Sequence, residues 1–221
     1  MKKNQRPSKK LKAKALTVVS LLNAHYPANI KCYLGYDEQK PWQLLIATIL
    51  SAQCTDNQVN RVTPGLFARY ETLADFAGAS LSELERAIYT TGFYRNKAKS
   101  IQGAAAALLS EHGGELPAQI EALTKLPGVG RKTANVVRGH IFGLPSIVVD
   151  THVKRISTKL GLVKHKEPDK IEFELMAILP ESAWIAYNTQ VIAHGRAVCR
   201  AKNPDCDVCF LQEQCLWRIG K

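Results

Sequence analysis

Apolar residues recur along nearly the whole chain at helical spacing, in short runs closed by a cap or a breaker, and no convincing strand interrupts them. Leu11, Ala15, Val18 and Leu22 space out one face of a first helix. Pro41 stands where a helix starts, ahead of the apolar run Trp42 to Ala52. Thr55 or Asp56 caps the next helix, which Pro64 is expected to break. Ser80 with Glu83 reads as a capping box for a helix ending near Gly92. The next runs from Tyr94 to His112, where Gly113-Gly114 stops it. Pro117 opens a short helix up to Lys125, and Arg131 to Phe142 forms another with Gly143 and Pro145 behind it. Asp150 caps a helix to Leu160, and two more follow, over 168–179 and 182–198. Roughly ten short helices on short links define an all-α protein. Ser146-Ile147-Val148-Val149 alone looks strand-like, and reads as an extended link delivering Asp150.

The formal net charge of +11 in 221 residues points to a polyanionic partner, and nucleic acid is the usual one. Much of that charge lies in residues 1–14, which hold seven lysines and arginines and no acid. This stretch reads either as a solvated, disordered arm or as a DNA contact. The folded remainder is only mildly basic, so its grip on DNA must come from a local patch. No apolar run reaches the roughly 18 residues of a membrane span. The basic start lacks the apolar core and cleavage site of a signal peptide. A cytoplasmic protein is expected, associated with the nucleoid if the cell is bacterial or archaeal.

The most informative segment is Leu126-Pro127-Gly128-Val129-Gly130-Arg131-Lys132-Thr133-Ala134. A short helix ends before it and a longer one begins after it. Gly128 and Gly130 permit backbone angles that let N–H groups converge at a helix N-terminus, a seat for a phosphate. Val129 between them is expected to pack inward, with Arg131 beside the phosphate. This helix–hairpin–helix pattern grips the backbone without reading sequence. Lys132 then falls in the first turn of the following helix. A neutral amine there is a candidate nucleophile of the Schiff-base kind. Asp150 follows 18 residues later within Val149-Asp150-Thr151-His152. It is a plain N-cap, or a carboxylate placed to stabilise positive charge on a sugar.

Cys199, Cys206, Cys209 and Cys215 crowd into 17 residues, while Cys32 and Cys54 stand apart. In a reducing compartment such a cluster reads as a metal site rather than a disulfide framework. The spacing x6, x2, x5 gives one close pair and two outer cysteines. Four thiolates on one loop can hold a [4Fe–4S] cube, and ligand chemistry alone leaves zinc open. Arg200 and Lys202 make the loop basic, which suits contact with phosphates.

These residues together resemble the endonuclease III family, the bifunctional DNA glycosylase and AP lyases of base-excision repair. The resemblance runs from about residue 14 to the end. It rests on Ser51-Ala52-Gln53, the hairpin with Lys132, Val149-Asp150-Thr151-His152, His194-Gly195-Arg196 and the four-cysteine spacing. It implies the helix–hairpin–helix glycosylase fold: two helical domains with an active site between them and a C-terminal [4Fe–4S] loop. The expected division is 1–33 as basic tail and N-terminal helix, 34–144 as a helical barrel, and 145–221 as the cluster domain. By resemblance Lys132 is the nucleophile and Asp150 its partner. Gln53 fills the space left by a flipped nucleotide, and Phe93 wedges into the duplex. The family places leucine where Phe93 stands. Cys54 is either a core residue or an exposed thiol. The expected partner is double-stranded DNA containing damaged bases or abasic sites, bound by a monomer. Two other readings compete: a monofunctional glycosylase of the same superfamily, disfavoured by Lys132, and a non-catalytic metal-stapled DNA-binding module, disfavoured by Lys132 with Asp150.

Overall fold

A computed structural model describes residues 7–220. Among them twelve α-helices follow one another with no strand: α1 Lys9–His25, α2 Trp42–Leu50, α3 Asp56–Arg69, α4 Leu73–Gly78, α5 Leu81–Ala87, α6 Tyr94–His112, α7 Ile120–Leu123, α8 Arg131–Phe142, α9 Thr151–Lys159, α10 Pro168–Ile178, α11 Trp184–Ala197 and α12 Leu216–Ile219. Short 3-10 turns span Tyr89–Thr91, Glu181–Ala183 and Gln212–Gln214.

The chain divides into two compact units. One gathers the chain up to Lys31 and from Pro145 onward; the other is Cys32–Leu144. In the continuous unit α2 is buried on every side, from Gln43 to Leu50. A helix apolar all round belongs at the centre of a bundle, and the core forms about it from Val59, Leu66, Phe76, Ile101, Leu108 and Val137. The discontinuous unit has its own core. Ala15, Val18 and Leu22 of α1 share it with Val153 and Ile156 of α9, Ile171 and Leu175 of α10, and Tyr187 and Val191 of α11. Fully burying one such aliphatic or aromatic side chain contributes roughly 1.5–3 kcal/mol.

Local chemistry sets the ends of these helices. Ser8 caps α1, accepting the Leu11 N–H at 3.2 Å. Lys9, Lys10, Lys12 and Lys14 therefore lie in a helix, not in the disordered arm considered above; residues 1–6 of that stretch lie outside the described residues. Thr55 caps α3 through the Gln58 N–H. Pro64 does not break that helix, which runs through it to Arg69. Pro64 lies on the exposed face of the helix. The Ser80–Glu83 box does not form either. The Ser80 hydroxyl pairs with that of Ser82 at 3.0 Å, and Glu83 pairs with Arg69 at 2.9 Å. The capping box present instead is Thr72 with Asp75, at the start of α4. Asp150 accepts the Val153 N–H at 2.7 Å and caps α9.

Candidate active site and cluster loop

In the Cys32–Leu144 unit, α7 and α8 flank the hairpin. Val129 is buried in the core, and its N–H donates to the Leu126 carbonyl at 3.1 Å. Gly128 has φ +76°, a backbone conformation that side chains resist. A Cβ there would also stand 2.5 Å from Cβ of Ser100 on α6. Gly103, one turn further along α6, leaves room for Pro127. The hairpin is thus seated on α6. Gly130 differs: its φ is −90° and a Cβ meets nothing within 4 Å. Only Gly128 needs to be glycine for its backbone; both were expected to. Gly130 faces the open N-terminus of α8, where the first N–H groups have no helical acceptor. Arg131 is half-buried there, and Lys132 is exposed in the first turn.

This separates two roles by mutation. Gly128→Ala is expected to lower stability by about 2–4 kcal/mol, from the left-handed backbone and overpacking against Ser100. Gly130→Ala should melt at or slightly above the parent temperature. It should nevertheless bind undamaged duplex roughly tenfold more weakly, the scale of one lost charge-assisted hydrogen bond. Thermal melts and duplex titrations check both; unchanged DNA affinity in Gly130→Ala would remove the hairpin mouth as a phosphate seat.

Two further side chains from the sequence reading stand on turns of the same unit. Gln53 follows the end of α2 with φ +52°, and Phe93 precedes α6 with φ +48°. Both are exposed, Phe93 to 61%. Left-handed non-glycine residues cost roughly 1–3 kcal/mol each and persist only where their surroundings hold them. Cys54, beside Gln53, is half-buried against the core.

In the other unit, α9 and α11 lock through motifs noted in the sequence. A Cβ on Gly195 would overlap the His152 ring, so Gly195 is the gap that admits it. Arg155 Nη2 lies 3.1 Å from His152 Nδ1 and donates to the Cys199 carbonyl at 2.8 Å. The start of the cysteine loop is thereby fastened to the helix that Asp150 caps. Asp150 itself is half-buried.

All six cysteines lie outside any disulfide. Cys199, Cys206, Cys209 and Cys215 border one small cavity of about 30 Å³, with Lys159, Trp217 and Arg218 at its margin. The four cysteines line one cavity, one loop presents all of them, and thiolates are the donors an iron–sulfur cube takes. Burial pushes the Cys199 and Cys209 thiols up; Lys159 and Arg155 pull Cys199 the other way. The ammonium of Lys159 lies 3.8 Å over the Trp217 ring. Arg200 and Lys202 are both exposed, and Arg200 pairs with the exposed Asp205 at 2.8 Å.

Comparison with known proteins agrees with this arrangement. The model of the HhH-GPD superfamily of base excision DNA repair proteins matches residues 46–181. That of the iron–sulfur binding domain of endonuclease III matches 199–215, beginning and ending on cysteines of the cavity. Endonuclease III of Synechocystis is 49% identical over 205 residues, covering 92% of each chain. That of Bacillus subtilis is 45% identical over 176 residues, covering 79% of this chain and 80% of its own. A solved complex of endonuclease III with DNA superposes with a TM-score of 0.88 at 41% identity, covering 95% of this chain and 97% of that one. The chain belongs to the endonuclease III family of this superfamily. It is a base-excision repair enzyme, a DNA glycosylase and AP lyase that binds DNA and carries a [4Fe–4S] cluster. Among the described residues no helix is long and apolar enough to cross a membrane.

Proposed function

We propose that the enzyme excises damaged, chiefly oxidised, pyrimidines from double-stranded DNA and cuts the resulting abasic site by β-elimination, with Lys132 as nucleophile and Asp150 as its carboxylate partner. The observation that carries this reading is the exposed lysine in the first turn of α8, directly behind a hairpin whose open N–H groups suit a phosphate. A sugar held by its phosphate at that mouth brings C1′ to an amine on the same turn. A similar endonuclease III has been solved as a trapped covalent intermediate with DNA, at 41% identity and a TM-score of 0.88. Such an adduct is what an amine nucleophile forms.

The Lys132 amine attacks C1′, and the N-glycosidic electrons leave with the base. The amine's two protons pass to the departing base and to O4′ as the sugar opens and the Schiff base forms. That imine acidifies the C2′ proton; its removal expels the 3′ phosphate and breaks the C3′–O bond. Water then hydrolyses the imine and frees Lys132. The Asp150 carboxylate stabilises positive charge on the sugar through these steps.

The target C1′ is shielded in a stacked duplex, so the nucleotide must flip out. Gln53 occupies the vacated space and Phe93 inserts between bases, each from a turn that offers its side chain to solvent. Gly128, Val129, Gly130 and Arg131 form the phosphate seat, and Lys202 adds charge at the cluster loop. Arg200 contributes to phosphate contact only by sharing with Asp205. Cys199, Cys206, Cys209 and Cys215 hold the cluster, which cross-links the loop. The protein acts as a monomer in the cytoplasm, where its substrate lies.

Borohydride reduction during turnover of a duplex with one oxidised pyrimidine tests the reaction. A covalent protein–DNA adduct is expected; base release without adduct would point to a monofunctional glycosylase. For the ligand set, protein purified without oxygen should be yellow-brown, with about four irons and four sulfides per chain. Cys→Ser at any of the four positions should lower both contents. Zinc with no sulfide, or full iron in a variant, would overturn that set.

A further inference from the structure

Lys97 lies in the first turn of α6, yet its side chain is only 5% exposed. Its ammonium donates to two main-chain carbonyls, Leu50 and Thr91, each at 2.7 Å. Leu50 is the last residue of α2 and Thr91 the last of the Tyr89–Thr91 turn. Gln53 comes three residues after the first and Phe93 two after the second. Among the described residues the left-handed non-glycine positions are Gln53, Phe93 and Asn203. Two of these three turns thus spring from carbonyls held by one buried cation.

We propose that Lys97 is a positioning residue that clamps the Gln53 and Phe93 turns to each other, fixing the spacing at which both side chains enter the duplex during flipping. The proposal rests on the reading of Gln53 and Phe93 given above. Lys97 suits the task physically. Carbonyls at helix C-termini carry partial negative charge and lack helical donors, so an ammonium satisfies both at once. One ammonium has three donors and can hold two strands of backbone together, which no neutral aliphatic side chain does. A second tie runs in parallel: Gln58 Nε2 of α3 donates to Thr90 Oγ1 at 2.8 Å. The pairing also removes Lys97 as a rival nucleophile. Burial lowers its pKa, opposed by nearby Cys54, but its amine is sequestered by the two carbonyls.

Lys97→Met removes the ammonium and keeps the length; Lys97→Gln keeps two N–H donors and loses the charge. Both are compared with Gln53→Ala and Phe93→Ala at a temperature below every melting transition. Strand cleavage is followed at an abasic site in duplex and in single-stranded DNA. Insertion is followed by fluorescence of 2-aminopurine opposite a tetrahydrofuran abasic analogue. Misplacement of about 1 Å costs up to about 10²-fold in rate. Lys97→Met is therefore expected to lose at least about tenfold on duplex and no more than about twofold on single strands, with a weakened fluorescence rise. Lys97→Gln should lie between it and the parent, and carries the test if the methionine variant does not fold. The Lys97→Met and Phe93→Ala losses should not add, because both act on one insertion step. Equal losses on the two substrates, or full duplex activity in both Lys97 variants, would make Lys97 a plain core residue and overturn the clamp. If Gln53→Ala and Phe93→Ala show no duplex-specific loss, the insertion reading itself fails. If they do and the Lys97 variants do not, only the clamp fails.

Discussion

Lys132→Gln is expected to abolish borohydride trapping and strand cleavage while leaving the fold and DNA affinity nearly intact. Glutamine keeps a polar side chain of similar reach but no nucleophilic amine. The position is exposed in the first turn of α8, so no core contact is lost. Glutamine is also as good a helix former as lysine. The rate should fall about 10⁴-fold or more, the scale of removing a covalent nucleophile. Binding should weaken only by the share of one phosphate contact, seen as a salt-dependence slope smaller by about one. Binding to a tetrahydrofuran analogue at two salt concentrations, beside single-turnover cleavage, measures both. An adduct forming at the parent rate in this variant would assign the chemistry to another amine.

α6 explains why several separate sequence signals work together in one unit. Its N-terminus presents Phe93; one turn in, Lys97 holds the ends of α2 and the Tyr89–Thr91 turn. A turn further, Ser100 and Gly103 seat the hairpin through Gly128 and Pro127. One helix of 19 residues therefore carries Phe93, Lys97 and the hairpin seat on a single frame. A rigid element places such groups better than loops do.

What the sequence disclosed follows the same logic. Helices ended by glycine or opened by a cap were legible: Tyr94–His112 and Arg131–Phe142 lie where the pattern put them. So was the inward packing of Val129. Signals that depend on a distant partner were not. Ser80 and Glu83 have capping-box spacing, but Arg69, from another helix, takes the glutamate. Pro64 looks like a breaker, yet it lies on an exposed face and α3 runs through it to Arg69. Gly130 looked as constrained as Gly128, although only Gly128 meets Ser100. Arg200 gives no sign in the sequence of its exposed pairing with Asp205. Lys97 left no signal at all: among 30 basic residues nothing in its neighbours marks the one that is buried.

Asp150→Asn is expected to lower the single-turnover rate by roughly 10²-fold or more without lowering stability. The two parts of that expectation have separate origins. The α9 cap uses one side-chain oxygen, which accepts the Val153 N–H at 2.7 Å. Asparagine supplies an equivalent oxygen and caps helices as well as aspartate does. The melting temperature should therefore stay close to that of the parent. Charge is what the substitution removes, and the loss of one preorganised electrostatic partner of a transition state costs about 10²–10³ in rate. Asp150→Ala removes both, and should add a stability loss of about 1 kcal/mol from the missing cap. The pair of variants thus separates capping from chemistry. Should Asp150→Asn cleave at the parent rate while Asp150→Ala is merely less stable, Asp150 would be an N-cap alone. The carboxylate that steadies the sugar would then have to come from another residue.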